Sequence, residues 1–532
     1  MIAALRMPRK AKKKETEQEN ELDIDKALSS EEVIGDLAQS TEIISEIDLS
    51  PAKEEENPNK EWEFEEITPN PAQEANEGTP APKSNVFNQK QNSSTMVNVF
   101  FQTHGCSANV AESEAMMGLL QNAGYHIVDD PEYANVNIIN ICTVKGNSVP
   151  IKEIKKFTEC FPETKLVIAG CITRDIIPEI RKINEEAGLI NTHNIHQIVS
   201  VVEETLNGNA LEALTQERII KVELPKQKIN KTVGIIPIAS GCDDQCAYCS
   251  VKLIKGKIFS YPESHIVAQV KKQIEDGCKE IWLTSQDNGA YGIDQGERRL
   301  HILLNAILNK VPGDYKIRLG MINPRHVIAI KDELIKIFQD ERMYKFLHIP
   351  LEAGNNEILG KMNRKYSVHD YRDLVETFRR YVPDITIASD IIVGFPNETE
   401  LQFQESLQTI HDTKPDILNI ARFSSRPNTP ADRMQGHLST NTKKDRSKAM
   451  TELFHTVALA NNKKWIGWEG TVLVTEMGKN NTALAKNFAY KQVVLPGSHR
   501  IGDEVRVKIV DVGVFDLRAE PKERMVELKH LV

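Results

Sequence analysis

Three of the chain's eight cysteines crowd into Ser240-Gly-Cys242-Asp-Asp-Gln-Cys246-Ala-Tyr-Cys249. The run follows an apolar, β-prone stretch over residues 233–240. A Cys-x3-Cys-x2-Cys run on a tight loop places three thiolates around one iron–sulfur cube and leaves its fourth iron open. An open iron can chelate the amino and carboxylate groups of S-adenosylmethionine, and an electron from the cluster then cleaves the sulfonium to a deoxyadenosyl radical. Zinc is the competing reading. Zinc sites, however, pair a Cys-x2-Cys with a second pair or with histidines, and neither stands near this loop.

The surroundings of the loop suit a barrel. Six strand candidates follow one another at 233–240, 280–285, 315–321, 346–351, 385–393 and 417–423. Helical periodicity separates them at 264–276, 300–310, 329–338, 368–381 and 400–412. Six βα units predict a partial (β/α)6 barrel with its reactive groups at the C-terminal ends of the strands. Polar residues fall there: Cys242, Gln286 and Asp287, Asn323, Glu352, Asp390, then Ser425 and Arg426.

Upstream, residues 96–225 alternate short strands (97–103, 136–142, 166–169) with helical patterns such as 111–123, which predicts a parallel α/β domain. Three of its strands run into cysteines: Cys106, Cys142 and Cys171. By position alone these are either isolated buried thiols or a set that converges where a parallel sheet collects its ligands. The segment 221–231 reads as a polar linker into the barrel domain, 226–464. From 465 to 532 the period shortens, with strands expected at 470–475, 482–484, 491–494, 504–510 and 515–519. That pattern predicts a small all-β barrel of a size that often binds nucleic acid.

Charge divides the chain further. Residues 1–95 hold 11 basic and 21 acidic residues, whereas 96–532 hold 55 of each. The first segment is rich in Glu, Pro, Asn and Ser and is expected to be an acidic disordered tail, with a short helix over 31–49 at most. Residues 226–465 carry 35 basic against 29 acidic side chains, a mild positive balance toward a polyanionic partner. No apolar run is long enough to span a membrane and no secretory h-region follows the N-terminus. Few, clustered cysteines point to reduced thiols and a cytoplasmic location.

These motifs together resemble the radical S-adenosylmethionine methylthiotransferase family. The likeness rests on Thr103-His-Gly105-Cys106-Ser-Ala-Asn109, Asn140-Ile-Cys142-Thr143 and Ala169-Gly170-Cys171. It continues through the 242/246/249 loop, Ser389-Asp390-Ile-Ile-Val-Gly394-Phe395-Pro396 and Phe423-Ser-Ser425-Arg426-Pro427. The C-terminal segment is similar to a TRAM domain, an RNA-binding module. The resemblance implies two [4Fe-4S] clusters, the radical cluster on Cys242, Cys246 and Cys249 and an auxiliary, sulfur-holding one on Cys106, Cys142 and Cys171. It also implies that Tyr248 lies near the adenine and that Asp390 and Gly394 shape the cofactor and substrate face.

Residues 280–292 (EIWLTSQDNGAYG) and Phe259-Ser-Tyr261-Pro262 resemble the archaeal and eukaryotic branch. That branch acts on tRNA bearing N6-threonylcarbamoyladenosine at position 37 and places a methylthio group on C2. It draws on a reductant such as ferredoxin or flavodoxin and on a sulfur donor. Eukaryotic members tend to carry a C-terminal hydrophobic anchor; this chain ends Lys529-His-Leu-Val532, and an archaeal type is expected. The alternatives are isopentenyladenosine in tRNA, an aspartate of a ribosomal protein, or a non-enzymatic iron–sulfur RNA-binding protein.

Two departures stand out. Lys255-Gly256-Lys257 replaces Arg-Gly, and Glu352-Ala-Gly354-Asn355 replaces Gln-Ser-Gly-Ser, so Glu352 receives no role. RNA contact by the C-terminal barrel is expected from Lys479, Lys486, Lys491 and Arg500. Cys160 and Cys278 read as small buried hydrophobes, His104 as structural, His348 as a core or surface residue, and Trp282 and Phe395 as packing groups.

Overall fold

The computed structural model describes residues 96–522 apart from Lys145. The acidic segment, and the short helix expected at most within it, lie outside the described residues.

The first domain is built on six parallel strands: β1 Asn98–Thr103, β2 His126–Val128, β3 Val136–Cys142, β4 Lys165–Cys171, β5 Gly188–Asn191 and β6 Glu212–Ala213. They lie in the order β2-β1-β3-β4-β5-β6. β3 and β4 are nearly continuous apolar runs because helices cover both faces of a parallel sheet. The helices are Ser107–Asn122, Ser148–Cys160, Ile177–Ile183 and Ile198–Leu206. Cys160 ends the second of these and is exposed, contrary to the buried role expected for it. Cys278 is buried.

The second domain carries β7 Val233–Pro237, β8 Ala239–Ser240, β9 Phe259–Ser260, β10 Glu280–Thr284, β11 Lys316–Leu319, β12 Phe346–His348, β13 Thr386–Val393 and β14 Ile417–Arg422. Two parallel three-stranded sheets, β7-β10-β11 and β12-β13-β14, form its wall. Backbone bonds from Ile317 to Arg342 (2.6 Å) and Tyr344 (3.0 Å) carry the wall from β11 toward β12. Among the described residues β14 and β7 do not pair, so the six-stranded barrel is open on one side. Ile281, Leu283, Ile317, Leu319, Leu347 and Ile387 face outward into one core with the covering helices. Capping boxes at Ser367/Asp370 and Thr399/Gln402 start two of those helices, Val368–Tyr381 and Glu400–Thr413. The helix expected over 329–338 is two pieces, Pro324–Ala329 and Lys331–Ile337. Asn323 caps the first and Pro324 opens it, so the chain turns helical earlier than its apolar period implies.

The segment read as a linker is no free tether. Lys221 and Val222 are buried, and Gln227 N–H donates to Glu114 O at 2.9 Å. The long helix Thr440–Lys463 then leads into a closed barrel of β15 Glu469–Met477, β16 Thr482–Lys486, β17 Gln492–Pro496, β18 Glu504–Val512 and β19 Leu517–Pro521, ordered β15-β16-β17-β19-β18. Its last strand begins two residues later than expected, because Gly513 and Asp516 close a turn that leaves Phe515 exposed. No helix among the described residues is long and apolar enough to cross a membrane.

Candidate active site

The 242–249 loop leaves the barrel from β8. Gly241 holds φ +76°, and a Cβ there would stand 2.2 Å from Lys257 O, so glycine lets the returning chain cross beneath the loop. Cys242 N–H donates to Gly256 O (3.2 Å), and Ala247 N–H to Met362 O (2.9 Å). Ala431 N–H donates to Ala247 O at 2.8 Å. Arg364, which follows Met362, sends Nη1 to Cys246 Sγ at 3.0 Å. On the other side Arg325 bridges Asp243 (2.5 Å) and Asp244 (2.8 Å). Asp287, pushed up to about 7 by burial and by Asp244, accepts from the backbone N–H groups of Gly289 and Asn323. The loop is therefore clamped from two sides with its three thiols together. Burial raises all three, Cys249 to about 12. Buried thiols beside one guanidinium suit a ligand set that loses its protons when an iron cluster binds.

Next to the loop stand the residues expected to face cofactor and substrate. Tyr248 hydroxyl donates to Glu352 Oε1 at 2.6 Å. Glu352 sits in the left-handed region (φ 68°), and burial pushes its carboxyl up to about 7. Its backbone is held by Asp390 O (2.8 Å) and Ile392 N–H (2.9 Å). Asp390 is gripped by His348 Nε2 and Asn419 Nδ2, both at 2.7 Å. Burial opposes its ionisation, yet His348 beside it holds the carboxyl below its ordinary value. His348 thus partners Asp390 rather than only filling the core. Gly394 (φ +75°) passes so close to Lys443 that a Cβ would meet its Cγ at 2.3 Å. The Gly394 N–H donates to Glu398 Oε2 (2.7 Å), which Arg446 pins at 2.6 Å. Gly394 therefore shapes a turn and does not touch the thiols.

The first domain brings its own three cysteines together. Cys142 and Cys171 end β3 and β4 side by side, paired in register. Cys106 is the N-cap of helix Ser107–Asn122. Gly105, at φ +109°, lets that turn pass Cys142, whose Cβ would lie 2.7 Å from an added Cβ. Asn109 Oδ1 lies 3.4 Å from Cys106 Sγ, while its Nδ2 donates to Asn140 Oδ1 and Ile141 O at 3.0 Å each. A hydrogen bond between Cys142 and Cys171 lowers the first thiol and, with burial, raises the second.

The two thiol sets share a joint. Ser107 Oγ meets Thr284 Oγ1 at 2.6 Å, and His193 Nε2 reaches Ile254 O at 2.9 Å. Arg426 Nε donates to Val144 O at 2.8 Å, and its charge acts on both Cys249 and Cys142. Beneath lies a buried cluster that sequence reasoning missed. Glu112 Oε1 takes both Lys221 Nζ (2.7 Å) and Lys255 Nζ (3.0 Å), and Thr192 joins all three. Glu112 is held down to about 2; burial opposes this but the two lysines prevail. The lysine replacing the family's arginine after the loop is thus an interdomain anchor. Its partner could have been suspected only as a glutamate on the apolar side of a helix.

In the C-terminal barrel the four expected basic residues separate. Lys479 and Arg500 are exposed. Lys491 is buried, with Nζ on Asp416 Oδ1 (2.8 Å) and Asn462 Oδ1 (3.1 Å), so it holds the barrel in place instead of meeting RNA. Lys486 lies over the Tyr490 ring at 5.1 Å.

Comparisons with known proteins follow the same three-part division. The Radical SAM superfamily matches residues 236–410, the uncharacterized protein family UPF0004 residues 98–191, and the TRAM domain residues 463–522. A probable threonylcarbamoyladenosine tRNA methylthiotransferase of Archaeoglobus fulgidus is 39% identical over 78% of this chain and 96% of its own length. A Pyrococcus abyssi protein of the same description is 36% identical over 77% and 96%. The human threonylcarbamoyladenosine tRNA methylthiotransferase is 35% identical over 80% of this chain and 74% of its own. With the radical-type cysteine loop in an open barrel, a second thiol set at its edge and a TRAM barrel behind, the chain belongs to the threonylcarbamoyladenosine tRNA methylthiotransferase family.

Proposed function

We propose that the chain is a tRNA methylthiotransferase that places a methylthio group on C2 of N6-threonylcarbamoyladenosine, with Cys242, Cys246 and Cys249 holding a radical cluster and Cys106, Cys142 and Cys171 a second [4Fe-4S] cluster. The observation that carries this reading is Arg426, whose guanidinium binds the loop after Cys142 while its charge reaches both thiol sets. When bound, S-adenosylmethionine and the clusters supply the hydrogen-abstracting radical and the sulfur. The protein's part is placement. Arg364 and Arg325 hold the loop. Tyr248, Glu352, Asp390 and His348 line the space beside it. Lys479 and Arg500 offer phosphate contacts. A cytoplasmic reductant such as flavodoxin or ferredoxin and a sulfur donor complete the requirement.

The test is anaerobic turnover of reconstituted protein with tRNA bearing the threonylcarbamoyl base, S-adenosylmethionine and reductant, followed by nucleoside mass spectrometry. A product with methylthio in place of hydrogen supports the reading. Deoxyadenosine release without it reopens the substrate, and neither product from protein loaded with both clusters points to a binding protein. Cys142→Ala is expected to stop methylthio transfer yet spare deoxyadenosine formation; a normal transfer rate would refute the auxiliary role.

A further inference from the structure

Inside the barrel wall stands Arg318, a cation that forms no salt bridge among the described residues. β10 and β11 pair with Trp282 opposite Arg318. Their neighbours Ile281, Leu283, Ile317 and Leu319 face the helix-covered core. Alternation therefore turns Trp282 and Arg318 to the inward face. The guanidinium carbon lies 5.6 Å from the Trp282 ring, 5.2 Å from Phe346 and 5.9 Å from Tyr490, the last supplied by the C-terminal barrel. Tyr490 takes a left-handed turn (φ 61°) to reach this place.

Among the described residues no carboxylate pairs with Arg318 and no acceptor takes its N–H groups; its Nε is buried and unpartnered. The charge of Arg318 acts on Glu280, but that carboxyl is already engaged by Trp282 Nε1 and by Tyr344 hydroxyl (3.0 Å). Phe346 also meets the His348 ring at 6.4 Å, and His348 binds Asp390. The arginine thus sits on the face that carries the candidate active site, displaced from the cysteine loop toward the N-terminal ends of the strands.

A guanidinium walled by aromatic rings and free of acceptors is prepared for a planar anion, which it can bind in a two-pronged fashion. The threonylcarbamoyl group ends in a carboxylate; an isopentenyl group ends in methyls. Resting on the function proposed above, we propose that Arg318 receives the carboxylate of the threonylcarbamoyl substituent, with Trp282 and Phe346 beside it, and so selects this base over neutral N6-substituted adenosines.

Two anticodon stem-loops decide it, one bearing N6-threonylcarbamoyladenosine and one bearing the threoninol analogue, in which a neutral hydroxymethyl group replaces the carboxylate. Binding to the cluster-loaded full chain is measured by fluorescence anisotropy, and turnover by nucleoside mass spectrometry. The wild type is expected to prefer the carboxylate-bearing RNA by roughly 10- to 100-fold, the scale of a hydrogen-bonded charge pair. Arg318→Met should bring the preference close to unity by weakening only that RNA, raising KM more than it lowers kcat. Arg318→Lys should retain an intermediate preference, and it decides by the same ratio should Arg318→Met lose iron or thermal stability. A preference unchanged in both variants, or an equal loss for both RNAs, overturns the assignment while leaving the function standing. A wild type that methylthiolates neither RNA overturns the function and the assignment with it.

Discussion

Gly105 and Gly241 show how little separates a working thiol site from a broken one. Each lies next to a cysteine, each has φ in the left-handed region, and an added Cβ would stand 2.7 Å from Cys142 Cβ or 2.2 Å from Lys257 O. An L-residue in that region costs about 1–2 kcal/mol before any clash. Gly105→Ala is expected to lower the iron content of reconstituted protein from roughly eight to roughly four atoms per chain, with deoxyadenosine formation retained. Iron analysis beside a cofactor-cleavage assay checks it; full iron loading would contradict the geometry. Glu352 supplies the pH test at this scale. Its folded carboxyl titrates near 7, above the ordinary 4.5. Its contribution to stability is therefore complete below about 4.5 and lost as pH rises through 7. In iron-free protein, Glu352→Gln should gain in melting temperature relative to the wild type between those pH values. The departure at 352 was legible as a letter change, but its left-handed backbone and the hydroxyl of Tyr248 on it were not.

At the scale of elements, helix Ser107–Asn122 does two jobs. Its N-cap carries Cys106, and Asn109 and Glu112, three apart and so on one face, serve the thiols and the domain joint. Glu112→Gln would leave two buried lysines facing one neutral amide, a loss of about 3–5 kcal/mol near neutral pH. Because the wild-type carboxyl is held below its ordinary 4.5, its share of stability is present above 4.5 and lost as pH falls toward 2. Thermal melts should show that acid-side loss in the wild type and a flatter profile in the variant. The helix was expected to begin at Ala111 because cysteine is not a capping signal; only the end of β1 and the turn at Gly105 start it at Ser107. Asn323-Pro324 was a legible start that went unread, since Asn323 looked like a strand-end polar group.

Across the whole molecule, the C-terminal barrel is seated by buried chemistry and leaves Lys479 and Arg500 exposed. Lys491 reaches Asp416 and Asn462, and Lys345 N–H donates to Phe488 O at 2.9 Å. Lys491→Ala is expected to loosen that seat, read as earlier protease cleavage between the long helix and the barrel. Lys479→Glu with Arg500→Glu should instead weaken tRNA binding at unchanged melting temperature, and lower the salt dependence by about two ion equivalents. An equal salt slope in variant and wild type would remove both residues from the RNA contact.

What the sequence determined by itself was local and periodic. The spacing of Cys242, Cys246 and Cys249 and the alternation of short apolar strands with helices both survive in one dimension, because loop ligands and element periods need only near neighbours. Even three strand-end cysteines could be marked as candidates to converge. The tertiary structure decided the rest, because it depends on residues distant in the chain meeting in low dielectric. It set Arg426 between two thiol sets 107 positions apart (249 less 142). It buried Lys221 and Lys255 on one glutamate, turned Lys491 from a surface charge into a rivet, and set Arg318 among three aromatic rings with no salt bridge among the described residues. A charged residue reads the same in sequence whether exposed, paired or poised; only burial and the partners that folding supplies distinguish them.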